Sequence, residues 1–244
     1  MALDALTYQI QGRSVGFPVE VRDATSGAAM FLVSSKAAAR LIPDAFEIAE
    51  ILPGLGICNI AMVDYKDNDL GDYNEIAIGF MVYPKAGGPR IPYAGTLFDL
   101  VGGRLDSHIT HMPVDQSFTR DAGATIWGYP KTVQEIEIEY FDDHARARLV
   151  CDGEHALTIT VPRGGKRHVE GSSISTLSLI EGVAHRTTAS QRVQGMGIKL
   201  GGAELVLGSG TIADELRSLG MPKRALMCAW MEKMQASFAP PEKL

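Results

Sequence analysis

Three runs, Thr132 to Phe141, Ala145 to Cys151 and Ala156-Leu-Thr-Ile-Thr-Val161, follow one another with only Phe141-Asp-Asp-His144 and Cys151-Asp-Gly-Glu154 between them. Within the first, Val133-Gln-Glu-Ile-Glu-Ile-Glu-Tyr140 alternates apolar and charged side chains, and the other two also alternate at period two. That spacing places one kind of residue on each face of an extended strand, and the Asp-rich links suit tight turns. Working outward, further strand candidates are Phe17-Pro-Val-Glu-Val-Arg22, Ala28–Val33, Gly56–Tyr65, Glu75–Tyr83 and Ser175–Ile180. Helical patterns are fewer. Ser35 is placed as the N-cap of Lys36–Ile42, which stops at Pro43. Asp115–Ala122 is expected to form a helix ending at Gly123, and Thr211–Leu219 another, closed by Gly220-Met-Pro222. Many short strands with no strand–helix alternation favour a mainly β, single-domain fold over a doubly wound sheet. The expected form is a closed barrel of antiparallel strands with a few flanking helices. No repeat or Pro/Ser-rich linker divides the chain, so residues 1–244 are expected to form one domain.

Composition sets outer limits. Of 244 residues, 45% are hydrophobic and 21% charged, the balance of an ordinary globular protein. A net charge of −6 speaks against nucleic-acid or anionic-membrane binding, because no basic stripe exists to hold phosphates. The one basic cluster, Arg163-Gly-Gly-Lys-Arg-His168, suits a solvated hairpin tip or loop. Cys58, Cys151 and Cys228 are odd in number and widely spaced, which argues against disulfides and paired-cysteine zinc sites. Met1-Ala-Leu-Asp-Ala-Leu-Thr-Tyr8 has neither the basic leader nor the apolar core of a signal peptide, and no apolar run approaches the ~20 residues of a membrane span. A cytoplasmic location is the expectation.

One stretch has a setting that an exposed lysine does not need: Ile126-Trp-Gly-Tyr-Pro-Lys131. Trp127, Tyr129 and Pro130 supply an apolar surround, and burial disfavours the ammonium form. This predicts that Lys131 titrates below an ordinary lysine, as a neutral amine able to attack a carbonyl. The alternative is a surface lysine after a turn. Glu75 opens an otherwise apolar strand and shares a face with Ala77 and Gly79, whose small side chains would leave room for a ligand. Its alternative is a solvated strand end.

Other polar constellations are weaker. His108 and His111 fall on opposite faces of a strand, a poor arrangement for a shared metal. Asp64–Asp69 lacks the glycine and glutamate of a calcium loop, and Val101-Gly-Gly-Arg104 lacks the ending of a phosphate loop. Gly195-Met-Gly197 has Leu200 where a dinucleotide fingerprint needs its third glycine. Metals and cofactors are therefore not expected.

The segment Asp121-Ala-Gly-Ala-Thr-Ile-Trp-Gly-Tyr-Pro-Lys131 resembles the surroundings of the Schiff-base lysine in the acetoacetate decarboxylase-like superfamily. Gly71-Asp-Tyr-Asn-Glu75-Ile-Ala-Ile-Gly79 resembles the strand carrying that family's active-site glutamate, and Ala39-Arg-Leu-Ile-Pro-Asp44 its N-terminal helix and proline. The order and spacing fit over roughly residues 15 to 237. The resemblance implies a closed β-cone with helices outside. It implies a catalytic pair, Lys131 and Glu75, with Trp127 and Tyr129 binding substrate. It also places a C-terminal strand on Ala225–Phe238, a stretch whose own pattern fits helix or strand.

Departures bear on the substrate. Thr132 and Ala124 stand where the decarboxylases carry a lysine and an arginine, and Arg22 is the nearest counterpart of an arginine they place in an early strand. Imine chemistry tolerates these changes better than acetoacetate specificity does. The resemblance therefore implies a cofactor-independent, homo-oligomeric lyase acting on a small oxo acid, by decarboxylation or by aldol condensation with dehydration. A non-catalytic barrel that binds small molecules is the competing class.

Overall fold

In chain order the strands and helices are β1 (Thr7–Ile10), β2 (Arg13–Gly16), β3 (Val19–Ser34), α1 (Ser35–Ala38), β4 (Phe46–Ile48), β5 (Leu55–Asn68), β6 (Tyr73–Pro84), α2 (Ala94–Val101), β7 (Asp106–Val114), α3 (Ser117–Trp127), β8 (Lys131–Val133) and β9 (Glu135–Tyr140). Then come β10 (His144–Cys151), β11 (Glu154–Pro162), β12 (Arg167–Ile180), β13 (Val183–Leu200), β14 (Glu204–Leu207), α4 (Thr211–Ser218), β15 (Met227–Phe238) and β16 (Glu242–Lys243). This computed structural model describes residues 6–86, 88 and 90–244. Residues 1–5, at the start of the segment searched for a leader, lie outside the described residues.

Seven strands close into a barrel in the order β6-β5-β3-β15-β13-β12-β7, with β7 returning to β6. Its seams are antiparallel except β7–β12, which is parallel and has one paired position, Thr176 with Ser107. Side chains reinforce that thin seam. Buried Asp106 accepts from Arg186 Nε and Nη2 at 3.0 and 2.8 Å and from Ser175 Oγ at 2.5 Å. Strand β8 extends the sheet by running parallel to β7, with Lys131 opposite Met112.

Alternation along these strands serves two separate cores. Ile60, Met62, Ile76, Ile78 and Phe80 face outward and pack under a second sheet, β14-β11-β10-β9, whose Ile136, Leu149, Leu157 and Ile159 complete that cluster. The intervening positions Val63, Tyr65, Tyr73 and Val114 face inward, where Val19, Val21, Val193 and Met234 join them from across the barrel. Helix α3 and the β1–β2 hairpin add Phe118, Ile126, Ile10 and Val15 to this inner cluster. The whole is a single, mainly β domain.

Several expected boundaries shift for identifiable reasons. Phe17–Arg22 and Ala28–Val33 largely merge into the one strand β3, because Asp23 to Ser26 stay paired to β5 through a bulge near Asp23. The run Thr132–Phe141 divides at Gln134, where the chain leaves the barrel for the outer sheet. The first helix is capped by Ser34, whose hydroxyl accepts from the Ala37 amide, and not by Ser35. Helix α3 runs through Gly123 to Trp127, and the tail Ala225–Phe238 contains β15. Among the described residues no helix is long and apolar enough to cross a membrane.

Candidate active site

The stop of α3 explains the sequence around Lys131. Gly128 adopts a left-handed conformation, φ 67°, and donates to Ala124 O, while the Tyr129 amide donates to Gly123 O. The bond from the left-handed glycine to the carbonyl four residues back is the αL type of helix stop, and Pro130 follows where the helix cannot continue. A Cβ at position 128 would also lie 2.5 Å from Leu179 O. The turn delivers Lys131 to the start of β8 with its side chain inward.

Inside the barrel, Lys131 Nζ lies 2.8 Å from Glu75 Oε2, and the two side chains are 4% and 5% exposed. Lys131 Nζ also donates to Thr119 Oγ1 at 3.0 Å and sits 5.0 Å from the Tyr73 ring centroid. Tyr73 in turn stacks on Tyr65, centroids 4.5 Å apart. Thr119, Ala122, Gly123 and Ile126 form the buried face of α3, at the spacing of one helical stripe. Gly123 is required by contact: a Cβ there would lie 2.6 Å from Lys131 Cδ and 2.7 Å from Cε.

Burial is the largest influence on Lys131 and pulls its pKa down. The Glu75 carboxylate and the Tyr73 phenol together outweigh it, so the lysine stands above its ordinary value. The expectation of a lowered pKa is thus corrected: the resting site holds an ammonium–carboxylate pair. Burial also raises the phenols of Tyr65 and Tyr73, and lifts Tyr129 to about 12. All three are neutral hydroxyls at physiological pH.

Lys131 and Glu75 are therefore brought together, while the other expected residues divide. Tyr129 is buried beside them, with its phenol oxygen 2.7 Å from Thr176 Oγ1. Trp127 packs among Phe17, Tyr129 and Phe238 and donates its indole N–H to Ala239 O, which makes it a core residue backing Tyr129. Arg22 is held at the surface by Asp67 and Asp69. Thr132 and Ala124 are both exposed, Thr132 on the opposite face of β8 from Lys131, so a cation at either position would point away from Nζ. Gly79 is closed off by β7, since a Cβ there would lie 2.4 Å from His108 O. Ala77 does stay half-buried, and so do Ala61 and Asn59 on the same inner wall.

The expectation that the two histidines fall on opposite faces is corrected: a bulge at Thr110 shifts the register, so His108 pairs with Phe80 and His111 with Ile78 and both face outward. They have different partners there, His108 Nδ1 contacting Leu177 O and His111 Nε2 contacting Glu215 Oε2 of α4. Two surface depressions, of about 440 Å³ beside Tyr83 and Arg90 and about 370 Å³ beside His168 and Arg192, include neither Lys131 nor Glu75. Tyr73, Thr119 and Gly123 join the site beyond the residues expected from sequence. Signals for them existed, because Tyr73 is two residues before Glu75 on a strand, and Thr119 and Gly123 are one helical turn apart.

Fold and site together define a closed barrel that carries an amine–carboxylate pair in its interior. The family model described as "Acetoacetate decarboxylase (ADC)" matches residues 9–235, and the chain belongs to that family. Among solved structures, the chain is similar to acetoacetate decarboxylase from Legionella pneumophila, with 14% identity, a TM-score of 0.68, and 100% of this chain and 93% of that chain covered. It is also similar to the enduracididine biosynthesis enzyme MppR, complexed with the condensation product of pyruvate and imidazole 4-carboxaldehyde, with 14% identity, TM-score 0.61, and 99% and 97% covered. A third is an acetoacetate decarboxylase-like enzyme from Sphingomonas wittichii RW1, with 13% identity, TM-score 0.61, and 96% of each chain covered. No curated protein sequence matches the chain.

Proposed function

We propose that this protein is a lyase that forms an imine between Lys131 and a small oxo acid. The observation that carries this reading is the buried Lys131–Glu75 pair, 2.8 Å apart inside the barrel. A buried ion pair is costly to maintain, and passing a proton from Nζ to the carboxylate gives two neutral groups. The free amine then attacks the substrate carbonyl. The carbinolamine loses water with a proton returned by Glu75, leaving a protonated imine. With a 3-oxo acid, the bond to the carboxylate breaks, carbon dioxide leaves, and the electron pair moves into the imine to give an enamine. Protonation at carbon and hydrolysis release the ketone. Thr119 and Tyr73 hold Nζ in place throughout, and Tyr129 forms part of the substrate wall.

A second reading is supported by the likeness to MppR, whose bound product joins pyruvate to an aldehyde. Here a 2-oxo acid loses a proton beside its imine, the enamine attacks an aldehyde, and water is lost afterwards. Either reaction uses the same lysine. Borohydride reduction in the presence of pyruvate or acetoacetate tests the proposal. A stable adduct on Lys131 is expected. No adduct with any oxo acid would favour a barrel that binds without catalysis. Carbon dioxide release from acetoacetate, compared with aldehyde consumption alongside pyruvate, separates the two reactions.

A further inference from the structure

The inner face of the β12–β13 ladder carries hydroxyls in a block. Thr176 and Thr187 are cross-strand partners, and Ser178 lies two residues along β12 on the same face. Leu177, between them, turns outward into the other core, which fixes the alternation. Tyr129 adds a fourth hydroxyl through its contact with Thr176 Oγ1 and lies within electrostatic reach of both Lys131 and Glu75. Ser178 and Thr187 are 3% and 2% exposed; Ser178 Oγ has no hydrogen-bond partner among the described residues, and Thr187 Oγ1 has none at full hydrogen-bond geometry although it lies close enough to the Tyr129 phenol to act on it. Buried hydroxyls are almost always paired, so two neighbouring ones without a full partner on this wall call for a partner from outside the chain.

The chemistry of that partner follows from what surrounds it. The charged groups acting on Tyr129 are Lys131 and Glu75, which balance each other. Arg22 is committed to surface aspartates, and positions 124 and 132 are exposed. A substrate carboxylate therefore finds rotatable O–H donors on this wall, and an ionised carboxylate, which only accepts, is complementary to them. We infer that Tyr129, Thr176, Ser178 and Thr187 form a subsite that holds the carboxylate end of the oxo acid through neutral hydroxyl donors. This rests on the imine reading for the other end of the substrate.

The test compares pyruvate with neutral butanone in borohydride trapping, and uses lactate, which cannot form an imine, in calorimetric titration. In Ser178→Ala/Thr187→Val, the half-saturating pyruvate concentration is expected to rise by about tenfold or more, as two hydrogen bonds to a charged acceptor are lost. The lactate Kd should rise by a similar factor, butanone should stay within about twofold, and Thr187→Ser should behave like the parent because it keeps the hydroxyl. If the double variant does not fold, Ser178→Ala alone is expected to weaken pyruvate by about threefold or more. Equal weakening for pyruvate and butanone, or none for pyruvate and lactate, overturns the subsite. If the parent forms no imine with either carbonyl, the imine reading fails and lactate alone decides. Hydroxyl-dependent lactate binding then upholds the subsite, and absent or unaltered binding overturns it.

Discussion

Replacing Glu75 with Gln should have opposite effects on the reactivity of Lys131 and on turnover. The substitution keeps the shape of the side chain and removes the charge 2.8 Å from Nζ. Breaking a buried pair by neutralising one partner costs about 3–5 kcal/mol when the other must stay charged. Lys131 avoids that cost by releasing its proton, and at about 1.36 kcal/mol per unit its pKa should fall by roughly 2–4 units. The fall starts from above the ordinary 10.5, because burial remains and the opposing carboxylate is gone. The assay is the pH dependence of Lys131 modification by a small amine-reactive probe, with the site of labelling found by peptide mapping. At pH 8 the variant should label faster than the parent, while turnover falls by about 10²–10⁴ for want of the proton carrier. A labelling midpoint that is unchanged or higher would refute the coupling on which the site is built. The same linkage sets the stability profile. A lysine raised in the folded state contributes stability that is fully present below its unfolded value of 10.5 and is lost as pH rises through its folded value. In Glu75→Gln, where the folded-state value no longer stands above the unfolded one, this alkaline loss should disappear, and the penalty should instead be felt toward lower pH, where Lys131 is forced to carry its charge unpaired.

Other outcomes follow from the same geometry. Lys131→Ala should abolish trapping and turnover, and it should destabilise the fold by leaving Glu75 unpaired. Lys131→Met combined with Glu75→Gln should recover most of the about 3–5 kcal/mol lost in Lys131→Met alone, where Glu75 is left unpaired, as measured by urea unfolding. Gly123→Ala favours the helix by up to about 1 kcal/mol, yet its methyl group would collide with Lys131 Cδ, so trapping should slow by about tenfold or more in a protein that still folds. Thr132→Lys should leave the labelling midpoint of Lys131 within about half a unit, because position 132 is exposed on the opposite strand face. Acetoacetate should be turned over poorly, since among the described residues positions 124 and 132 carry no cation and lie exposed, away from Lys131 Nζ.

Much of the architecture is legible in the chain because barrel strands state their pattern locally. Val133–Tyr140 and Ala156–Val161 alternate, and their alternation survives in the outer sheet. The same local logic misplaced the end of α3. Gly123 looks like a helix terminator, but its role is to let the Lys131 side chain pass, and that contact involves two different elements. The protonation state of Lys131 was misjudged for a similar reason: aromatic neighbours in sequence indicate burial but not the carboxylate that the barrel brings opposite. The motif around Lys131 and the strand carrying Glu75 named the pair. Thr176, Ser178 and Thr187 carry no sequence signal, because ordinary strand hydroxyls gain meaning only when the ladder gathers them on one inward face.

The position of β7 gives the site a use as a clock. Glu75 lies on β6 and Lys131 on β8, and β7 is the strand between them and also the one that seals the cylinder against β12. The two residues therefore meet only once β7 has paired with both β6 and β8, and pairings distant in sequence form slowly. The moment at which Lys131 becomes protected from an amine reagent during refolding marks the pairing of β7 with both of these neighbours. That protection should lag the appearance of the β9–β10–β11 hairpins, whose partners are sequence neighbours.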